Sequence, residues 1–117
     1  MNINDKTDDE IRDIAMPIWE EQLLYSSQGD YFKFVKNFSN DVLASINPEV
    51  AAQQFAEDKL TRSLSQKSDY LGLLRRDGQV TCLFRVFSTE KEGEFLGRMV
   101  LGNDHRGDIK IFASSVF

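Results

Sequence analysis

The apolar residues of this chain follow a helical period in the first half and a strand period in the second, and the change falls near Lys67. Before that point they recur every three or four positions, which is typical of helices packed on one side. After it they alternate with polar residues, which is typical of strands with one buried face. A chain with its helices first and its strands second predicts an α+β domain.

Three helices are predicted for the first half, near residues 7–27, 30–45 and 48–64. Each predicted start carries a side chain that can accept a hydrogen bond from the backbone amides of the first helical turn. Such amides have no partner inside the helix, so these residue types are frequent at helix starts. The residues that mark the three starts are Thr7, Asp30 and Asn47.

Four strands are predicted for the second half, at residues 70–76, 80–87, 95–101 and 109–117. Asp77-Gly78 separates the first two, and this dipeptide favours the tight primed turn of a hairpin. Short connections predict an antiparallel meander. The predicted fold is therefore three N-terminal helices packed on a four-stranded antiparallel sheet. The side chains expected in its core are Trp19, Phe34, Phe38, Met99 and Phe112.

Length and composition favour one α+β domain over residues 1–117. Hydrophobic residues make up 41% of the chain, which is ordinary for a packed core. The formal charge is −5, and residues 1–58 carry 12 acidic and 4 basic side chains. Since neutralisation of phosphates dominates nucleic-acid binding, nucleic acid is not expected as a partner.

Neither an exported protein nor a metalloprotein is expected. The chain has no apolar run approaching the roughly 20 residues of a membrane helix, and its first residues lack a secretory pattern. A cytoplasmic protein without a membrane partner is therefore predicted. Cys82 is the single cysteine and His105 the single histidine, which excludes an internal disulfide and a zinc site of ordinary composition. No cofactor and no metal are expected.

The segment from Gly29 to Val42 is the most recognisable part of the chain. Its Gly29-Asp30 start, its aromatic helix and its exit Phe38-Ser39-Asn40-Asp41-Val42 resemble the nuclear transport factor 2-like superfamily. That superfamily includes ketosteroid isomerase-like proteins and polyketide cyclases. The tail Gly97–Phe117 is similar to the last hairpin of the family. The resemblance implies a cystatin-like, cone-shaped α+β barrel, in which a curved sheet wraps around the helices and encloses a pocket open at one end.

The resemblance does not extend to the catalytic residues of the isomerases. With the chain registered on Gly29-Asp30, the family's oxyanion-binding tyrosine corresponds to Gln22 and its general-base aspartate to Ile46. With the last hairpin registered on Gly107, the second, protonated aspartate corresponds to Met99. Because this catalysis needs a positioned base and oxyanion donors, the resemblance implies a domain without ketosteroid isomerase chemistry.

The function expected from these observations is the binding of a small apolar or weakly polar molecule in an apolar cavity. Strand alternation places Phe112, Ser114 and Val116 on one face, and the register of the last hairpin adds Met99. The two remaining candidates belong to the first helix. The predicted ligand-binding residues are Trp19, Gln22, Met99, Phe112, Ser114 and Val116.

Two other functions stay open. An enzyme of the same fold, of the hydrolase, dehydratase or isomerase class, would use other polar groups of the cavity. Examples are Arg85 or Arg98 with Asp69 or Glu94, and such a pair inside the cavity would favour an enzyme. A protein-interaction domain would instead have a cone filled by its own side chains.

A homodimer is expected through the outer face of the sheet. A meander covered by helices on one side leaves its other side exposed, and an apolar sheet face of that size usually marks an interface. The residues predicted to lie on this face are Leu96, Val100, Ile111 and Ala113.

Overall fold

The computed structural model describes residues 2–117 and has the predicted α+β order, with helices first and strands second. The second half forms one four-stranded sheet in which each strand pairs antiparallel with the next, as predicted. The described residues contain five α-helices rather than three. The helices are α1 (Asp8–Gln28), α2 (Tyr31–Phe34), α3 (Asn40–Ala44), α4 (Pro48–Glu57) and α5 (Lys59–Arg62). The strands are β1 (Leu64–Arg76), β2 (Gln79–Ser88), β3 (Phe95–Asn103) and β4 (Ile109–Val116).

The first predicted helix is confirmed as α1. The Glu10 amide donates to the Thr7 hydroxyl at 3.2 Å, and the Thr7 amide donates to the Glu10 carboxylate at 2.9 Å, so the capping box is present. Gly29 ends the helix with a left-handed φ of 69°, a conformation that glycine adopts without steric cost.

In the part of the chain that the structure describes, no helix is both long and apolar enough to cross a membrane.

The predicted single helix over residues 30–45 is wrong, because it is broken between α2 and α3. Phe38 lies beside Ile111 in a parallel bridge, with the Ser39 amide donating to the Ile111 carbonyl at 2.9 Å. This bridge satisfies backbone groups of β4 that would otherwise be exposed at the sheet edge. The Ser39 hydroxyl then accepts from the Val42 amide and starts α3 as a new helix.

The predicted helix over residues 48–64 is also too long. It begins as α4 but is interrupted at Asp58, whose carboxylate accepts from the Thr61 amide and starts the short α5. β1 begins at Leu64, six residues before the predicted start, and Leu64 pairs with Ser88. Residues 65–69 are all polar because they lie at the exposed end of the β1–β2 ladder. This part of the strand therefore lacks the alternation of apolar and polar residues that identifies a strand in the sequence.

The inner face of the sheet packs against α1. The indole of Trp19 stacks on the ring of Phe84, with centroids 4.5 Å apart and planes 4° from parallel. Phe84 pairs with Gly97 and Gly97 with Val116, so these positions share the inner face. The buried side chains of this face are Val80, Cys82, Phe84, Val86, Met99, Leu101 and Ile111.

A bulge in β4 reverses the faces predicted for two of its residues. Val100 pairs with Ala113 but Leu101 pairs with Ile111, so Phe112 is an extra residue in the ladder. Ile111 therefore lies on the inner face with no exposed surface, and its predicted outer position is wrong. The predicted common face of Phe112, Ser114 and Val116 is wrong for Phe112, since its ring lies beside Gly102 on the outer face.

Three of the five predicted core residues are buried. Trp19, Phe38 and Met99 are 1%, 8% and 0% exposed. Phe34 and Phe112 are only partly buried, because each borders a concavity of the surface.

Candidate functional site

A pocket of about 140 Å³ lies between α1, the α4–α5 segment and the end of β4. Its wall combines apolar side chains with neutral hydrogen-bonding groups, and no lining residue among those described carries a charge. The apolar lining consists of Trp19, Leu23, Phe34, Phe55, Leu64 and Val116. The polar lining consists of Gln22, Ser26, Thr61, Ser114 and Ser115.

The position of the Trp19 indole depends on a glycine in the sheet. A Cβ atom at Gly97 would collide with the indole atoms Cζ2 and Cη2 and would lie 2.8 Å from Cγ2 of Val86. Only a residue without a side chain therefore allows the indole to stack on Phe84 at this depth. Trp19 is 1% exposed, and its indole N–H has no hydrogen-bond partner among the described residues.

Gln22 lies one turn further along α1 and is 2% exposed. Its amide nitrogen Nε2 donates to the backbone carbonyl of Phe34 at 2.7 Å, which fixes the orientation of the amide. The other end of the amide, Oε1, has no partner among the described residues. A buried polar group without a partner costs free energy, and both this oxygen and the indole nitrogen of Trp19 are fully buried in residues that line the pocket.

Four of the six predicted ligand-binding residues lie together in this pocket: Trp19, Gln22, Ser114 and Val116. Met99 pairs with Ser114 but is completely buried in the core and outside the lining. Phe112 lies apart from the pocket as a result of the bulge.

Sequence reasoning missed the wall formed by the second and fourth helices. Phe34 and Phe55 contact each other with ring centroids 4.8 Å apart and close one side of the pocket. Their helical spacing indicated a buried face, and the same spacing is expected whether a side chain fills a core or borders a cavity. No sequence signal separates these two cases.

A second concavity, of about 110 Å³, lies where Phe112 meets the start of α3 and the β3–β4 loop. The loop is held by its own contacts, since the Asp104 carboxylate accepts from the amides of Arg106 and Asp108 at 2.9 Å. Within residues 2–117, no group of three or more His, Cys, Asp or Glu side chains could hold a metal ion.

The arginine–carboxylate pairs considered for an enzyme lie outside the pocket. Arg85 approaches Glu94 at 3.1 Å and Asp69 at 3.5 Å, and its side chain is 43% exposed. Arg85 pairs with Leu96 in the sheet, on the face opposite to the pocket. Arg98 is absent from the pocket lining as well.

The arrangement offers apolar contact and neutral hydrogen bonds, and none of the described lining residues is acidic or basic. Burial raises the pKa of the Cys82 thiol to about 12, so this thiol is protonated at neutral pH and is a poor nucleophile.

Comparisons of the chain with protein-family models, with curated proteins and with solved structures found no match.

Proposed function

We propose that this chain is a small-molecule-binding domain of the nuclear transport factor 2-like type, with its ligand in the pocket between α1 and β4. The observation that carries the proposal is the pocket wall, which is mostly apolar and includes a few neutral hydrogen-bonding residues. Such walls are typical of small-molecule sites. An uncharged or weakly polar ligand suits this wall, because a buried charge would have no partner there.

Binding is favoured over catalysis by the chemistry of the lining. General acid–base catalysis needs a titratable group within hydrogen-bond reach of the substrate. The pocket lining contains no carboxylate, histidine, lysine or arginine among the described residues. The pairs that an enzyme would use, Arg85 with Asp69 or Glu94, are on the other face of the sheet, which supports the binding function.

The volume of the pocket limits the size of the ligand. Most ligand sites have volumes of roughly 300–1,000 Å³, whereas an apolar cavity of about 150 Å³ can take up benzene. At about 140 Å³, this pocket fits a molecule with a single ring. Benzene is therefore a suitable first probe.

Replacing Ser114 with phenylalanine tests whether the pocket is real. Ser114 is half-buried and borders the pocket, so the new ring is expected to enter the empty space. We expect the free energy of unfolding to change by less than about 1 kcal/mol and benzene binding to be lost, since the ring occupies the ligand's place. Urea unfolding and an NMR titration with benzene measure the two effects.

Ser65→Phe is the matched control, because Ser65 is a half-buried strand residue outside the pocket lining. This variant should keep benzene binding. A filled interior, as in a protein-interaction domain, would instead make Ser114→Phe cost roughly 1–3 kcal/mol through overpacking. Benzene affinity that persists in Ser114→Phe would contradict the assignment of the pocket.

We also propose that the protein is a homodimer that buries the outer face of its sheet. Leu74 and Leu96 are 52% and 40% exposed, although both lie in paired strands. Leu74 begins a row of side chains that crosses all four strands on this face. The row consists of Leu74, Thr81, Val100 and Ala113. Thr81 and Val100 in this row are only 7% and 8% exposed. Arg85 lies beside Leu96 on the same face. The exposed leucines are the part of this face that suits an interface between two copies of a chain.

Light scattering is expected to give a mass of about twice the 13.4 kDa of the chain at micromolar concentration. The double variant Leu74→Glu, Leu96→Glu should give the monomer mass, because it places four carboxylates in the two-fold interface. Leu24→Glu, at an equally exposed position on α1, should remain dimeric. A monomeric parent protein, or a dimeric double variant, would refute this interface.

A further inference from the structure

We infer that the ligand of this pocket carries a hydrogen-bond acceptor for the Trp19 indole and, next to it, a donor for the Gln22 carbonyl oxygen, on a neutral one-ring skeleton. A lactam or another cyclic amide has this chemistry. The inference rests on the proposed binding function and specifies the class of molecule that binds.

The two polar atoms that define this class are buried, belong to residues that line the pocket, and are held in place by separate contacts. The indole is fixed by its stack on Phe84 and by its position over Gly97. The Gln22 amide is fixed by the hydrogen bond from Nε2 to the Phe34 carbonyl, which accepts only from the NH₂ end. Among the described residues, the carbonyl end of Gln22 is therefore the end of this amide that has no partner, and the indole N–H of Trp19 has none either.

The spacing of Trp19 and Gln22 along α1 suits a ligand with one compact polar group. Side chains three positions apart on a helix have Cβ atoms about 5–6 Å apart, so one ligand can reach both Trp19 and Gln22. An amide places its acceptor and its donor side by side. A ketone satisfies the indole but not Gln22, and a hydrocarbon satisfies neither. A carboxylate is disfavoured, because it would bring a charge to a wall whose described side chains are all neutral.

Three probes of similar size separate these contributions: 2-piperidone, cyclohexanone and benzene. Cyclohexanone has the ring size of 2-piperidone with a CH₂ group in place of the N–H, so it lacks the donor for Gln22 and its carbonyl is also the weaker acceptor. The Gln22→Met variant separates these two differences. Trp19 is the only tryptophan, so its indole N–H gives one assignable NMR signal. We expect this signal to move downfield with 2-piperidone and cyclohexanone, which accept its hydrogen bond, but not with benzene.

The affinities should follow the hydrogen bonds. We expect 2-piperidone to bind about tenfold more tightly than cyclohexanone, although it is the more polar molecule, because it alone pairs with Gln22. In Gln22→Met the order should reverse, since the N–H of 2-piperidone would then be buried without a partner. Gln53→Met makes the same exchange at an exposed position of α4 and should leave both affinities unchanged.

The outcomes distinguish this inference from the function on which it rests. If none of the three probes binds, both are wrong. If benzene binds but 2-piperidone is no tighter than cyclohexanone, the binding function stands and the inferred ligand class is wrong. That second result is expected if a retained water molecule satisfies Trp19 and Gln22. An unchanged preference in Gln22→Met, with the variant shown to be folded by its NMR spectrum, also refutes the inference.

Discussion

Replacing Gly97 with alanine is expected to lower the free energy of unfolding by about 1–3 kcal/mol, the usual cost of extra volume in a packed core. The added methyl group collides with the indole of Trp19 and with Cγ2 of Val86. Because Gly97 lies in the second central strand, its backbone has little freedom to move away. The displaced indole should also enter the pocket, so benzene binding is expected to weaken. Urea unfolding followed by circular dichroism measures the stability.

A double-mutant cycle assigns this cost to the indole. Trp19→Phe removes Cζ2 and Cη2, the two indole atoms with which the methyl group collides. In that background only the contact with Cγ2 of Val86 remains, so Gly97→Ala should cost less than in the parent protein, and the difference is the coupling between positions 19 and 97. A cost that is equal in both backgrounds would show that Val86 or the strand geometry, and not the indole, requires glycine at position 97.

Gly102→Ala is the comparison within the same strand. Its Cβ atom would lie 3.0 Å from the ring of Phe112, which is partly exposed and can move aside. We therefore expect this substitution to cost less than Gly97→Ala. The difference between the two costs shows the effect of a buried neighbour, Trp19, that cannot move aside as Phe112 can.

The order of helices and strands and the antiparallel sheet were predictable because they depend on periodicity. The period of the apolar residues identifies the elements, and Asp77-Gly78 identifies the first hairpin. This turn forms with φ angles of 56° and 75° at the two residues, as a primed turn requires. Both signals depend only on residues that are close together in the chain, so they can be read from the sequence alone.

The break between α2 and α3 was not predictable in this way, because its cause lies elsewhere in the chain. The aromatic residues from Tyr31 to Phe38 have helical spacing, but Phe38 pairs with Ile111, more than seventy residues later. The edge of β4 offers backbone partners that compete with the next helical turn. Tertiary contacts of this kind override local preference.

The residues that β4 contributes to the pocket could be predicted only where the register of β4 against β3 could be predicted. Ser114 and Val116 follow the predicted alternation, since both lie after the bulge. Phe112 is the bulged residue itself, and a bulge moves a side chain to the other face without any change in composition. A strand sequence with apolar residues at Ile109, Ile111 and Phe112 fits two registers, and pairing with β3 decides between them.

The segment before α1 also contributes to the core, although its sequence has no obvious period. Residues Ile3–Asp5 form a 3-10 turn, and the Ile3 side chain has no exposed surface. The Ile3 amide donates to Oδ1 of Asn103 at 2.7 Å. Arg75 holds the same segment, with its guanidinium donating to the carbonyls of Asn4 and Lys6 at 2.8 and 3.0 Å. Contacts from two strands therefore place Ile3 over the inner face.

Replacing Ile3 with alanine is expected to lower the free energy of unfolding by about 2–5 kcal/mol, because the substitution leaves a cavity in the core. Val50→Ala, at a valine that is 50% exposed on α4, is the control and should cost less than about 0.5 kcal/mol. Urea unfolding of both variants at one pH gives the comparison. If Ile3→Ala costs no more than the control, the first residues do not belong to the core. The hydrogen bonds to Asn103 and Arg75 would then hold a segment that packs only weakly.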